Sequence, residues 1–119
     1  MRQVLVIDDE PGIAELVAWC LDALEVEVVA AHDLASARDV VRSGDIGLVL
    51  LDFNLGVEDG LEILPELQGE PRLAGVPFVA FSAHDSRARE AFERGVVSFV
   101  RRPFSHAELQ SAVDVHLVR

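Results

Sequence analysis

The sequence predicts an α/β fold in which helices cover both faces of a five-stranded parallel sheet. Two observations carry that prediction. Five short apolar runs, at residues 4–7, 26–31, 46–51, 78–81 and 97–100, have the length and the branched composition of strands buried on both sides. Between and after them lie segments whose apolar residues return every three or four positions, as in a helix that packs one stripe against a sheet. Regular alternation of the two periods implies right-handed βαβ crossovers and therefore parallel strands.

In chain order, the first strand ends at Asp8-Asp9, and Pro11 fits the first turn of a helix behind that acidic cap. Ile13, Leu16, Val17, Cys20, Leu21 and Leu24 form the inward stripe of this helix. Leu34, Ala37, Val40 and Val41 mark a second helix ending near Ser43-Gly44, and the third strand then runs into Asp52. Leu61, Ile63, Leu64 and Leu67 mark a third helix, which Pro65 is expected to distort. Residues 69–77 contain two Pro and two Gly and should be the longest flexible connection. Ala88, Ala91 and Phe92 face inward from a short fourth helix that ends at Gly95. Ser105-His106-Ala107-Glu108 is a capping box opening the fifth, with Leu109, Val113 and Leu117 inward.

The 119 residues suit one domain, 1–119, which buries about two-thirds of the surface its unfolded chain would expose. No apolar stretch approaches the roughly 18 residues that cross a bilayer, so a soluble, cytoplasmic protein with no membrane contact is expected. The formal charge of −11 argues against direct nucleic-acid binding, which needs clustered Lys and Arg. The one cysteine, Cys20, cannot form an internal disulfide and should be buried. All ten basic residues other than His are Arg.

Ligands of a parallel α/β sheet bind beyond the carboxyl ends of its strands. Asp8, Asp9, Asp52 and Ser82 all follow strands one, three and four, so topology brings them together. Bare carboxylates about 4 Å apart repel by roughly 4 kcal/mol at an effective dielectric near 20, a cost that a cation reverses. The acids therefore point to a metal. Asp8-Asp9-Glu10-Pro11 alone would read as a helix cap, and Asp52 is what turns the reading towards a metal pocket. Ser82 alone would be an ordinary loop serine.

Taken in order, these residues resemble the receiver domain of two-component response regulators across essentially the whole chain. Val6-Ile7-Asp8-Asp9-Glu10 matches the family's acidic pair, and Leu50-Leu51-Asp52 with Asp59-Gly60 matches its phosphoacceptor segment. Ser82-Ala83 matches its Thr/Ser-Ala step, Phe99 its switch aromatic, and Arg102-Pro103-Phe104 its Lys-Pro-Phe element. The resemblance implies a flavodoxin-like (βα)5 three-layer sandwich of strand order 2-1-3-4-5, with Asp52 as phosphoacceptor. It implies Mg²⁺ bound by Asp9, Asp52 and the backbone carbonyl of Asn54, with Asp8 reaching through water. Ser82, Phe99 and Arg102 would read out the phosphoryl group.

The implied protein is a signalling acceptor rather than a turnover enzyme. Its implied partners are a sensor histidine kinase or histidine phosphotransfer protein on one side, and an effector protein or fused output domain on the other. The outward side of helix four, strand five and helix five, with Arg87, Arg89, Arg94 and Arg101, is the expected docking or homodimer surface. Because the chain ends at Arg119, just after the fifth helix, it is either a stand-alone receiver or an excised piece of a longer regulator.

Two residues depart from the family pattern. Arg102 replaces a Lys, exchanging a compact ammonium for a planar fork, with Arg101 an adjacent candidate for the same charge. Gly56 stands where a Pro is common, which should loosen the loop after Asp52. Asn54 and His84, two positions beyond Asp52 and Ser82, would in the family flank the path of a hydrolytic water, although His84 reads more simply as a solvated loop residue. Arg102 also keeps open an alternative, a receiver-like interaction module that works without phosphorylation. An aspartyl phosphatase is a third class, but it would want a second acid at the position of Asn54.

Overall fold

In the computed structural model, which describes every residue except His84, five strands form one parallel sheet. They are β1 (Gln3–Ile7), β2 (Glu27–Ala31), β3 (Ile46–Leu51), β4 (Phe78–Ser82) and β5 (Ser98–Arg101), paired in the order β2-β1-β3-β4-β5. The helices are α1 (Ile13–Cys20), α2 (Leu34–Ser43), α3 (Gly60–Gln68), α4 (Ala88–Glu93) and α5 (His106–His116). This is the parallel sheet that the alternation predicted, in the strand order of the flavodoxin-like sandwich that the resemblance implied. Because successive strand residues point to opposite faces, Leu5, Ile7, Val49, Leu51 and Ala80 pack on α2 and α3. Val4, Val6, Leu48, Leu50, Val79 and Phe81 pack on α1 and α5.

The caps follow the sequence chemistry. Asp33 and Ser36 close a capping box on α2, and Ser105 and Glu108 close another on α5. Cys20, Leu109, Val113 and Leu117 are buried as expected.

Several elements depart from the sequence reading. α1 starts at Ile13 behind Gly12, whose φ of 84° keeps Pro11 outside the helix, and a 3₁₀ turn at Asp22–Leu24 follows it. Leu16 is 44% and Phe92 47% exposed, because periodicity fixes a helical face but not how far neighbours cover its margins. Residues 69–77 are ordered by a 3₁₀ turn at Pro71–Leu73, with Leu73 buried and Arg72 Nε donating to the Val41 carbonyl at 3.1 Å.

α3 runs through Pro65 to Gln68. A helix would bring the N–H of residue 65 to the carbonyl of Leu61, and Pro65 has none to offer. Arg94 Nη1 donates to that carbonyl instead, at 3.2 Å.

The segment after Asp52 is a small hairpin. Asn54 pairs with Asp59 and Leu55 with Glu58, around a two-residue turn at Gly56 and Val57. Gly56 has φ of 78°, the left-handed value that tight hairpin turns require. The expectation of a looser loop is therefore corrected: here glycine permits a defined turn.

Candidate functional site

Sheet register builds the site. Ile7 lies between Ala31 and Leu51, so the next residues, Asp8 and Asp52, leave adjacent strands together. The amide of Asp8 donates to the Ala31 carbonyl and that of Asp52 to the Ile7 carbonyl, each at 3.0 Å. Asp8, Asp9 and Asp52 each present a carboxylate oxygen within 4.8 Å of the others. Asp8 and Asp52 are buried, whereas Asp9 faces solvent.

The expected close approach of the three acids is thus present. Three converging carboxylates with a solvent-facing side suit a hard divalent cation that retains water, as Mg²⁺ does. Asn54 and Ser82 line the same cleft, which has a volume of about 220 Å³. Ser82 is buried at the end of β4, and its carbonyl accepts from the Arg102 amide at 2.9 Å. The Asn54 side chain accepts from the Gly56 amide at 3.0 Å.

Arg102, the residue after β5, also lines this cleft. Its Nη2 is hydrogen-bonded to Asp8 Oδ2 and lies 3.4 Å from Asp52 Oδ2, while Nη1 meets Glu10 Oε2 at 3.1 Å. The guanidinium carbon sits 4.3 Å from the centroid of the Phe81 ring, a cation–π contact. Arg101, the other candidate for this charge, points away and pairs with Asp85 at 3.2 Å.

Burial pushes Asp52 up to about 6, and the neighbouring Arg102 only partly opposes that rise. Asp8 is raised as well, again chiefly by desolvation, although the Glu10 amide and Arg102 pull it down. Taking a carboxylate out of water disfavours its charged form. Without further positive charge, the pocket is therefore under-compensated.

Two glycines bring the backbone close to the site, and at Gly60 a side chain cannot go. A Cβ on Gly60 would fall 2.0 Å from the Asp52 carbonyl oxygen, and the Gly60 amide donates to the Phe53 carbonyl at 2.7 Å. The α3 N-terminus is thereby pressed against the backbone of Asp52 and Phe53. A Cβ on Gly56 would come within 2.9 Å of Asp9 Oδ2.

Asp59 caps α3 through the Leu61 amide at 2.9 Å and pairs with Arg87 at 2.6 Å. Phe99 is half-buried against Phe53, the residue next to Asp52, with ring centroids 5.8 Å apart.

The basic surface differs from expectation. Arg87 reaches Asp59 and Arg94 reaches Leu61, so both turn towards α3 and not outwards from α4, β5 and α5. Arg89 and Arg101 keep exposed pairs, with Glu93 and Asp85. His84 lies outside the described residues. The sequence alone assigns no role to Glu10 or Phe81, whereas Asp59-Gly60, which also reads as a turn and helix entry, does open α3. Glu10 was visible in the acidic run, but its contact with Arg102, 92 residues away, carried no local signal.

A profile of the response regulator receiver domain matches residues 4–114, and the chain belongs to that family. Among solved structures, it is 31% identical to the receiver domain of NtrX from Brucella abortus, with a TM-score of 0.84, covering 96% of this chain and 97% of that one. It is 26% identical to the response regulator TrrA from Thermotoga maritima, solved in complex with Mg²⁺-BeF, with a TM-score of 0.83, covering 98% and 100%. Chemotaxis protein CheY4 from Vibrio cholerae shares the fold at 22% identity and a TM-score of 0.88, covering 98% and 99%. Among the described residues, no helix is long and apolar enough to cross a membrane.

Proposed function

We propose that this receiver domain accepts a phosphoryl group on Asp52 from a phosphohistidine of a sensor kinase or phosphotransfer protein. The observation that carries this reading is the meeting of Asp8, Asp9 and Asp52 within 4.8 Å at the ends of β1 and β3. An Asp52 oxygen attacks phosphorus, the P–N bond to the donor imidazole breaks, and an acyl phosphate is left on the carboxylate. Mg²⁺, which Asp9, Asp52 and the Asn54 carbonyl would hold, with Asp8 through water, supplies positive charge to the phosphoryl oxygens.

Phosphorylation adds roughly −1.5 to −2 charge and three acceptor oxygens at Asp52. Ser82, buried beside it, and Arg102, already within reach, are placed to respond. Their movement shifts the ends of β4 and β5 and the packing of Phe99 on Phe53. The domain acts as a cytoplasmic acceptor that loads and unloads itself, not as a turnover enzyme. Its output is altered affinity for an effector or fused output domain, or for a second copy, through the α4, β5 and α5 face.

The test is incubation with Mg²⁺ and a small phosphodonor, followed by intact-mass measurement of wild type and Asp52→Asn. One phosphoryl adduct in wild type and none in the variant is expected; an adduct that persists in the variant contradicts the assignment. A second reading, a docking module independent of phosphorylation, draws on the contacts of Arg102 with Asp8 and Asp52. It predicts no adduct and unchanged partner binding.

A further inference from the structure

We propose that Arg102 is an internal counter-ion which a divalent metal must displace from Asp8 and Asp52, so that metal loading itself rearranges the turn between β5 and α5. The inference rests on the metal-pocket reading above and adds a competitor to it. One guanidinium nitrogen serves Asp8 and approaches Asp52, the other holds Glu10, and the Phe81 ring closes one face. With its side chain only 17% exposed, Arg102 is held in place from several directions.

The Asp8 side chain is almost wholly buried, and the oxygen that Arg102 occupies is one of only two it has. Among the described residues, Asp9 has no hydrogen-bond or ion-pair partner, so a cation arriving from solvent meets Asp9 first. To gain Asp52 and the shell of Asp8 it must then separate Nη2 from both. A Lys would compete less well, since one ammonium cannot span Asp8 and Glu10 as the fork does.

Displacement has a route to the surface. Arg102 and Glu10 also border an apolar groove of about 410 Å³, walled by Trp19, Pro103, Phe104 and His106. Movement of the guanidinium therefore changes the rim of that groove. The chain's one Trp stands there as a reporter, 67% exposed.

The experiment is Mg²⁺ titration of the intact chain at fixed pH by calorimetry, for wild type, Arg102→Gln and Arg102→Lys. A second measurement follows the Arg102 Nε–H resonance and Trp19 fluorescence of wild type through the same titration. Losing a charge-assisted hydrogen bond to the competitor should tighten Mg²⁺ binding about tenfold to hundredfold in Arg102→Gln. Arg102→Lys should fall between that variant and wild type. In wild type the Nε–H resonance should shift, and Trp19 emission change, in step with saturation.

If Arg102→Lys binds as wild type does while Arg102→Gln tightens, only distant charge is at work and the proposal is wrong. Equal affinity in all three proteins overturns it too. Should Arg102→Gln fail to fold, an Nε–H resonance unmoved at saturation is sufficient to refute it. Absence of Mg²⁺ binding in every protein would overturn both this proposal and the metal pocket; binding without displacement would leave the pocket standing.

Discussion

Replacing Asp52 with Asn should make the metal-free domain more stable near neutral pH, although it removes the proposed phosphoacceptor. Folding lifts the Asp52 pKa from its ordinary 3.8 to about 6. At about 1.4 kcal/mol per pKa unit, holding that carboxylate charged in the folded state costs about 3 kcal/mol. The Asn variant escapes this cost, which already includes the opposing attraction of Arg102 at 3.4 Å. A gain of up to about 3 kcal/mol is expected.

The sign fixes the pH profile. Between pH of about 4 and about 6 the folded state binds more protons than the unfolded one, so wild-type stability falls as pH rises and the penalty is complete above about 6. Asp8 is raised in the same direction and leaves a smaller slope in the variant. Urea denaturation of both proteins in chelator, from pH about 4.5 to about 8, measures the difference. The reasoning fails if the variant is no more stable than wild type near neutrality, or if the two profiles run parallel through the acid range.

Gly60→Ala should destabilise the fold by on the order of 3 kcal/mol, because its Cβ would fall 2.0 Å from the Asp52 carbonyl oxygen; urea midpoints read this directly. Arg94→Ala leaves the Leu61 carbonyl without its donor and should cost about 1–2 kcal/mol. Adding Pro65→Ala restores a backbone N–H to that carbonyl, so a double-mutant cycle should show the second change recovering most of the loss; simple additivity would contradict the assignment.

What the sequence disclosed follows from which forces are local. The runs at 46–51 and 78–81 are strands because apolar, branched residues without polar interruption fit only a sheet covered twice. Once those strands are parallel, Asp8, Asp52 and Ser82 have to share an edge. Other features depend on partners distant in the chain. Arg102 reaches Asp8 across 94 positions, and Arg94 reaches Leu61 across 33. Leu16 and Phe92 carry the right period, yet period says nothing of how closely a neighbour covers them. Gly56 and residues 69–77 differ from expectation for another reason: Gly and Pro restrict which turn forms, and composition alone does not separate such restriction from looseness. A positive φ at Gly56 and Pro71 opening a 3₁₀ turn are orderly uses of the same residues.

The substitute donor at Leu61 has a consequence for how the chain is made. During synthesis α3 leaves the ribosome with a gap at Pro65 that its own backbone cannot fill, and the residue that fills it is translated only at the end of α4. Domains emerge amino-terminus first, at about 5–20 residues per second, so α3 waits seconds for its last hydrogen bond. Any nascent fragment halted before Arg94 carries that helix incomplete.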